Sequence, residues 1–162
     1  MDLVNELGEL ALATRFKRLS ERLSQDVSKI YLESDADFEA KYYLILELLN
    51  REKLLGITEI SDLLQLSHPA VIQFVEQLLN RKLIKVSSDK KDARRRLVSL
   101  STSGKKLLLQ IAPVLKVIKD ENRKWIDEAS CDILKVLTEL EIALDKKSMY
   151  QRVKIRLLQE EL

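Results

Sequence analysis

The 162-residue chain is poor in the residues that punctuate or staple a fold: three glycines, two prolines and one cysteine. So few turn formers argue against a sandwich of many short strands and against a Pro/Gly-rich disordered tail. The lone Cys131 excludes an internal disulfide framework and cannot build a thiolate metal cage, and it fits a reducing compartment. No apolar run approaches the roughly 20 residues of a membrane span. The opening MDLVNELGEL has neither the basic stretch nor the cleavage site of a secretory signal. A cytoplasmic chain without membrane association is therefore expected. With one histidine, one cysteine and no glycine-rich phosphate loop, no set of nucleophile, base and orienter can be assembled. Neither catalysis nor a cofactor nor a bound metal is expected.

What the chain does have is apolar and charged residues, 46% and 33%, arranged largely in helical rhythm, which points to one compact, mostly α unit. Leu12, Phe16, Leu19, Leu23, Val27 and Ile30 recur every three or four residues and predict a long first helix whose stripe must face something. Ser34 to Asp37 reads as a break. Phe38, Tyr42, Ile45 and Leu49 then predict a second helix to about Arg51, before Gly56 ends the connection. Thr58 is placed to cap a short helix over Glu59 to Leu64, with Ile60, Leu63 and Leu64 inward. Ser67 caps the next one, and Pro69 is tolerated in its first turn. Val71, Phe74, Val75 and Leu78 form the inner stripe of that helix, with Pro69, Ile72, Gln73, Glu76 and Gln77 outward.

From Leu83 the period changes to two. Leu83 to Ser87 and Arg96 to Leu100 predict two short strands, with Ile84 and Val86 on one face of the first and Val98 and Leu100 on one face of the second. The segment between them is polar and basic. Ser101 and Gly104 open another long helix through Leu107, Leu108, Ile111, Leu115 and Ile118, bent at Pro113. After a break at Asp127 to Ser130, Ile133, Leu137, Leu140 and Leu144 begin a last helix that continues, with a kink near Ser148, through Val153 and Leu157. The fold class expected is mostly α with a small β-hairpin wing: a winged helix-turn-helix.

Charge is concentrated rather than spread. The chain's net charge is +2, yet Arg81 to Arg96 alone carries +6, from eight Lys and Arg against Asp89 and Asp92. A basic block on an otherwise slightly acidic protein suits a polyanionic partner.

The hairpin carries Asp89-x-x-Asp92-x-Arg94, then Val98-x-Leu100-Ser101 and Gly104. With a helix-turn-helix at the right distance before it, this pattern resembles the wing signature of the MarR family of bacterial transcription regulators. The resemblance covers nearly the whole chain in element order. It implies a homodimer built from terminal helices, here 1–34 and 105–162, flanking a DNA-binding lobe at 35–104. It further implies two lobes spaced for half-sites about 34 to 36 Å apart on a pseudo-palindromic operator, and release by a small-molecule effector or an oxidant. Two residues depart from the family pattern: Lys82 and Gln65 stand where glycine is usual. Lysine in a left-handed turn should cost about 1 kcal/mol.

For double-stranded DNA the reading candidates are Ser67, His68, Pro69, Ala70, Ile72 and Gln73, at the start of the helix expected in the major groove. Gln73 can pair with adenine in a bidentate manner, and Ala70 or Ile72 can meet a thymine methyl, which favours half-sites containing A and T. Arg94 suits a narrow minor groove, with Asp92 orienting its guanidinium, the parts that the matching residues play in the family. Lys90, Lys91 and Arg95 suit phosphates. Phe16, Tyr42, Tyr43 and Trp125 are the candidates for an effector pocket. Cys131 is expected to be a buried, inert thiol, since peroxide-sensing relatives carry their reactive cysteine near the N-terminus. The competing reading is a winged helix that serves as a protein-interaction module without DNA binding.

Overall fold

The computed structural model describes residues 2–34, 38–89 and 95–160, apart from the Glu160 side chain. It divides into two units, Met1–Lys116 and Val117–Leu162. The segment 35–104 lies in the first unit together with the N-terminal helices. The division falls inside a helix.

The first unit runs α1 (Leu3–Glu6), a 3-10 turn (Gly8–Ala11), α2 (Leu12–Glu33), a second 3-10 turn (Ala40–Tyr42), α3 (Tyr43–Glu52), β1 (Leu55–Gly56), α4 (Ile57–Leu64), α5 (His68–Asn80), β2 (Ile84–Ser88), β3 (Arg96–Leu100) and the start of α6 (Thr102–Asp127). Helical spacing buries Ile45, Leu46 and Leu49 of α3, Ile60 of α4, and Val71, Val75 and Leu78 of α5. Leu83, Ile84, Val98 and Leu100 close this core from the sheet, and Leu108 and Ile111 from α6. Each such side chain contributes about 1.5 to 3 kcal/mol on burial, which offsets the nucleation cost of a helix as short as the eight-residue α4.

Several local expectations change. Gly56, not Thr58, precedes the first turn of α4; Glu59 accepts from the Gly56 amide at 2.7 Å, and glycine has no side chain to complete a reciprocal cap. Leu63, expected inward, is exposed. The hairpin is joined by a third strand that spacing did not announce: the order is β1-β3-β2, all antiparallel, with Leu55 opposite Val98 and Ile84 opposite Leu100. Pro113, where a bend is expected, lies inside α6, which spans Thr102–Asp127.

Helix α2 buries only Tyr31. Leu12, Phe16, Leu19, Leu23 and Ile30, five of the six residues of its expected stripe, are each 38 to 47% exposed.

The second unit carries the end of α6, then α7 (Ile133–Lys146) and α8 (Met149–Glu160). Two helices replace the single kinked one expected. Lys147 is extended (φ −157°, ψ 110°). Ser148 and Gln151 then cap α8 reciprocally: the Gln151 amide donates to Ser148 Oγ at 3.3 Å and the Ser148 amide to Gln151 Oε1 at 3.0 Å. Leu134, Leu140, Ile142 and Leu144 on α7 and Val153, Ile155, Leu157 and Leu158 on α8 are exposed. Cys131 is also exposed, correcting the buried thiol expected: it sits in the α6–α7 connection, one residue before the Asp132 cap of α7, rather than on an apolar face. No helix among the described residues is long and apolar enough to cross a membrane.

Candidate nucleic-acid interface

Helix α5 starts on Ser67, whose extended backbone (φ −65°, ψ 143°) lets Oγ accept from the Ala70 amide at 3.4 Å. Proline within this first turn forfeits no helical hydrogen bond. Ser67, His68, Pro69 and Gln73 are exposed, while Ala70 and Ile72 are half-buried. All six candidates thus gather on one end of a helix whose opposite stripe is held in the core. No acidic residue stands in that first turn, so the positive end of the helix dipole is not offset there.

Both turns that frame α5 adopt the left-handed geometry in which glycine is usual. Gln65 has φ 53°, with the Leu66 amide donating to the Ser61 carbonyl at 3.1 Å and the Gln65 amide to Asp62 at 3.4 Å. Lys82 has φ 58°, with Leu83 donating to Leu78 at 3.0 Å and Lys82 to Leu79 at 2.9 Å. Each is the paired closure of a Schellman helix end with a side chain where a hydrogen would be easier. A third such residue escaped the sequence pattern: Lys53 (φ 69°, ψ −47°) is the centre of a γ-turn closed by Leu54 N–H to Glu52 O at 2.8 Å.

The end of α5 is fastened to the start of α6. Ser101, buried, donates from Oγ to the Lys82 carbonyl at 2.7 Å and accepts from the Gly104 amide at 2.9 Å, while its own amide donates to Leu83 O at 3.0 Å. Gly104 is needed for close approach: a Cβ there would stand 2.1 Å from the Leu83 carbonyl oxygen. The Ser101 and Gly104 of the wing pattern therefore have a visible structural role.

Of the wing candidates, Lys90, Lys91, Asp92 and Arg94 lie outside the described residues. Arg95 lies at the wing root, where Nη2 is 2.5 Å from Glu59 Oε1 of α4 and Nη1 is 3.7 Å from Asp89 Oδ2. The Asp89 amide also donates to the Arg95 carbonyl at 3.0 Å, prolonging the hairpin ladder. The Gly56 amide, and after it the Arg95 guanidinium, hold the Glu59 carboxyl below its ordinary value. Sequence reading gave Arg95 a phosphate and missed Glu59; the signal for the latter was Gly56-x-x-Glu59, the spacing of a helix N-terminus.

Of the four aromatic candidates, Phe16, Tyr42 and Tyr43 lie in the first unit. Tyr42 is 3% exposed, its hydroxyl donating to Gln77 Oε1 of α5 at 2.9 Å. Tyr43 is half-buried on α3, and burial raises the pKa of its hydroxyl. Phe16, on α2, lines a hollow of about 370 Å³ with Leu12, Leu19, Arg15, Arg18 and Arg22. Trp125 belongs to the second unit and is half-exposed.

Helices α4 and α5, joined by a left-handed turn and followed by a hairpin bordered by a third strand, define a winged helix-turn-helix. With long helices before and after it, the fold is that of the MarR-type transcription regulators. The chain is similar to MepR of S. aureus, solved as a DNA complex (TM-score 0.68, 21% identity, 83% of this chain and 97% of that one). A mutant MarR from E. coli complexed with operator DNA aligns with TM-score 0.63 and 20% identity over 89% of this chain and 99% of that one. The PcaV regulator from Streptomyces coelicolor, in complex with its natural ligand, aligns with TM-score 0.63 and 20% identity over 85% and 96%. No protein-family model and no curated protein matches the sequence.

Proposed function

We propose that this protein is a cytoplasmic, homodimeric transcription regulator, not an enzyme, that binds double-stranded DNA at a pseudo-palindromic operator with α5 in the major groove. The observation that carries this reading is the exposed cluster Ser67, His68, Pro69 and Gln73 at the start of a core-anchored helix, on a fold shared with proteins solved in complex with DNA. Arg94, oriented by Asp92, takes the minor groove, while Lys90 and Lys91 meet phosphates. Arg95, paired with Glu59 and Asp89 at the wing root, meets a phosphate beside them. The exposed apolar stripes of α2, α7 and α8 pair across a two-fold axis, giving 1–34 and 105–162 the dimer contact and 35–104 the DNA contact. A small-molecule effector beside Phe16 fits the ligand-bound state of PcaV and the hollow lined by that ring.

Selection of bound sequences from random duplexes, repeated across salt, tests this directly. The expected result is a palindromic, A/T-containing consensus whose affinity falls steeply with salt, and weaker binding by Arg94→Ala. No duplex binding at any salt would leave the protein-interaction module as the better reading.

A further inference from the structure

Three aliphatic residues, Val71, Val75 and Leu78, hold α5 along a single line in the core. Aliphatic contacts are not directional, so one line fixes the depth of a helix better than its roll about its own axis. A second line runs beside it at the same spacing: Phe74, Gln77 and Arg81. All three meet one side chain. Tyr42 stands edge-on to Phe74 (centroids 6.2 Å apart, planes at 90°), donates its hydroxyl to Gln77 Oε1 at 2.9 Å, and lies with its ring under the Arg81 guanidinium at 5.6 Å. Glu39, three residues earlier in the chain, pairs with the same Arg81 at 3.3 Å and with Lys41 at 2.7 Å. The hydrogen bond to Tyr42 leaves the Gln77 amide nitrogen as the donor that group can still offer.

We infer that Tyr42 is a positioning residue for sequence recognition: by gripping Phe74, Gln77 and Arg81 it fixes the roll of α5, and with it the aim of Ser67, His68 and Gln73. This rests on the DNA-binding reading above. Side-chain tips on a helix lie about 5 to 6 Å from its axis, so a roll of about 10° displaces them by about 1 Å. That is enough to take a base-edge hydrogen bond out of its narrow range. Phosphate attraction, being long-range and non-directional, tolerates the same displacement.

Tyr42→Phe tests the idea, because it removes the hydroxyl and keeps the buried ring. Binding is measured by fluorescence anisotropy on the selected duplex and on an unrelated duplex of equal length, across salt, with circular dichroism verifying that the variant is folded. Affinity for the selected duplex should fall about threefold to tenfold, with affinity for the unrelated duplex and both salt slopes unchanged. An unchanged ratio between the two duplexes overturns the proposal. So does an equal loss on both accompanied by a shallower salt slope, which would make the hydroxyl a phosphate contact instead. If the wild-type protein prefers no duplex over another, the functional reading itself has failed and this inference falls with it. A Gln77→Met variant gives a second arm: the two substitutions share the Tyr42–Gln77 bond, so Tyr42→Phe should lower the selected-duplex preference of Gln77→Met by less than it lowers that of the wild type, and a fully additive loss overturns the proposal.

Discussion

At the scale of single residues, the scarcity of glycine leaves its mark in the turns. Lys53, Gln65 and Lys82 all hold positive φ with a side chain attached. Replacing Lys82 with glycine should raise stability by about 0.5 to 1 kcal/mol, read as a higher urea midpoint at unchanged slope. The opposite holds where glycine is present for space. Gly104→Ala would drive a methyl into the Leu83 carbonyl and should cost about 3 kcal/mol, read in the same titration. The Lys82 and Gln65 positions were legible from the sequence because a family pattern marks glycine there. Lys53 was not: its γ-turn follows from how α3 must end to feed β1, a tertiary demand that leaves no residue signature.

At the scale of elements, periodicity found every helix of the winged lobe and both hairpin strands, since 3.6- and 2-residue repeats are set by which side faces the core. What it missed is short, or joins residues far apart in the sequence. A two-residue β1 is too brief to show alternation, and Tyr42, which spacing placed on an apolar stripe, turned out to carry a polar contact at its far end. The wing root shows how such contacts join elements. Glu59 links the start of α4 to Arg95, and its lowered pKa gives it a defined pH signature. A carboxyl depressed in the folded state contributes stability above its ordinary value of 4.5, and that contribution disappears as the pH falls through the folded value. The pair is half-exposed, so the effect is a fraction of 1 kcal/mol. Glu59→Gln should be slightly less stable than the parent at pH 7, and the gap should narrow as the pH is taken below 4.5, in matched denaturant titrations.

At the scale of the whole molecule, the apolar stripes of α2, α7 and α8 are read most directly as surfaces awaiting a second chain. Stability should then depend on concentration: a tenfold dilution should lower the melting temperature, and light scattering should give twice the mass of one chain. Leu23→Glu, at the centre of the α2 stripe, should halve that mass, whereas a monomeric parent would remove the dimer from the account. The stripes, and their exposure on the single chain, were legible from spacing together with the small core that the winged lobe needs; what covers them was not, because spacing says only that a face is apolar.

Lys82 also belongs to the +6 block that, on the reading proposed above, attracts DNA. Glycine at that position would relax the turn and delete one of the attracting charges, so the two demands on the residue pull against each other. Selection for operator capture and selection for thermal robustness would then favour different amino acids at one site, and a laboratory variant hardened by Lys82→Gly should hold its shape longer while binding DNA less tightly at low salt.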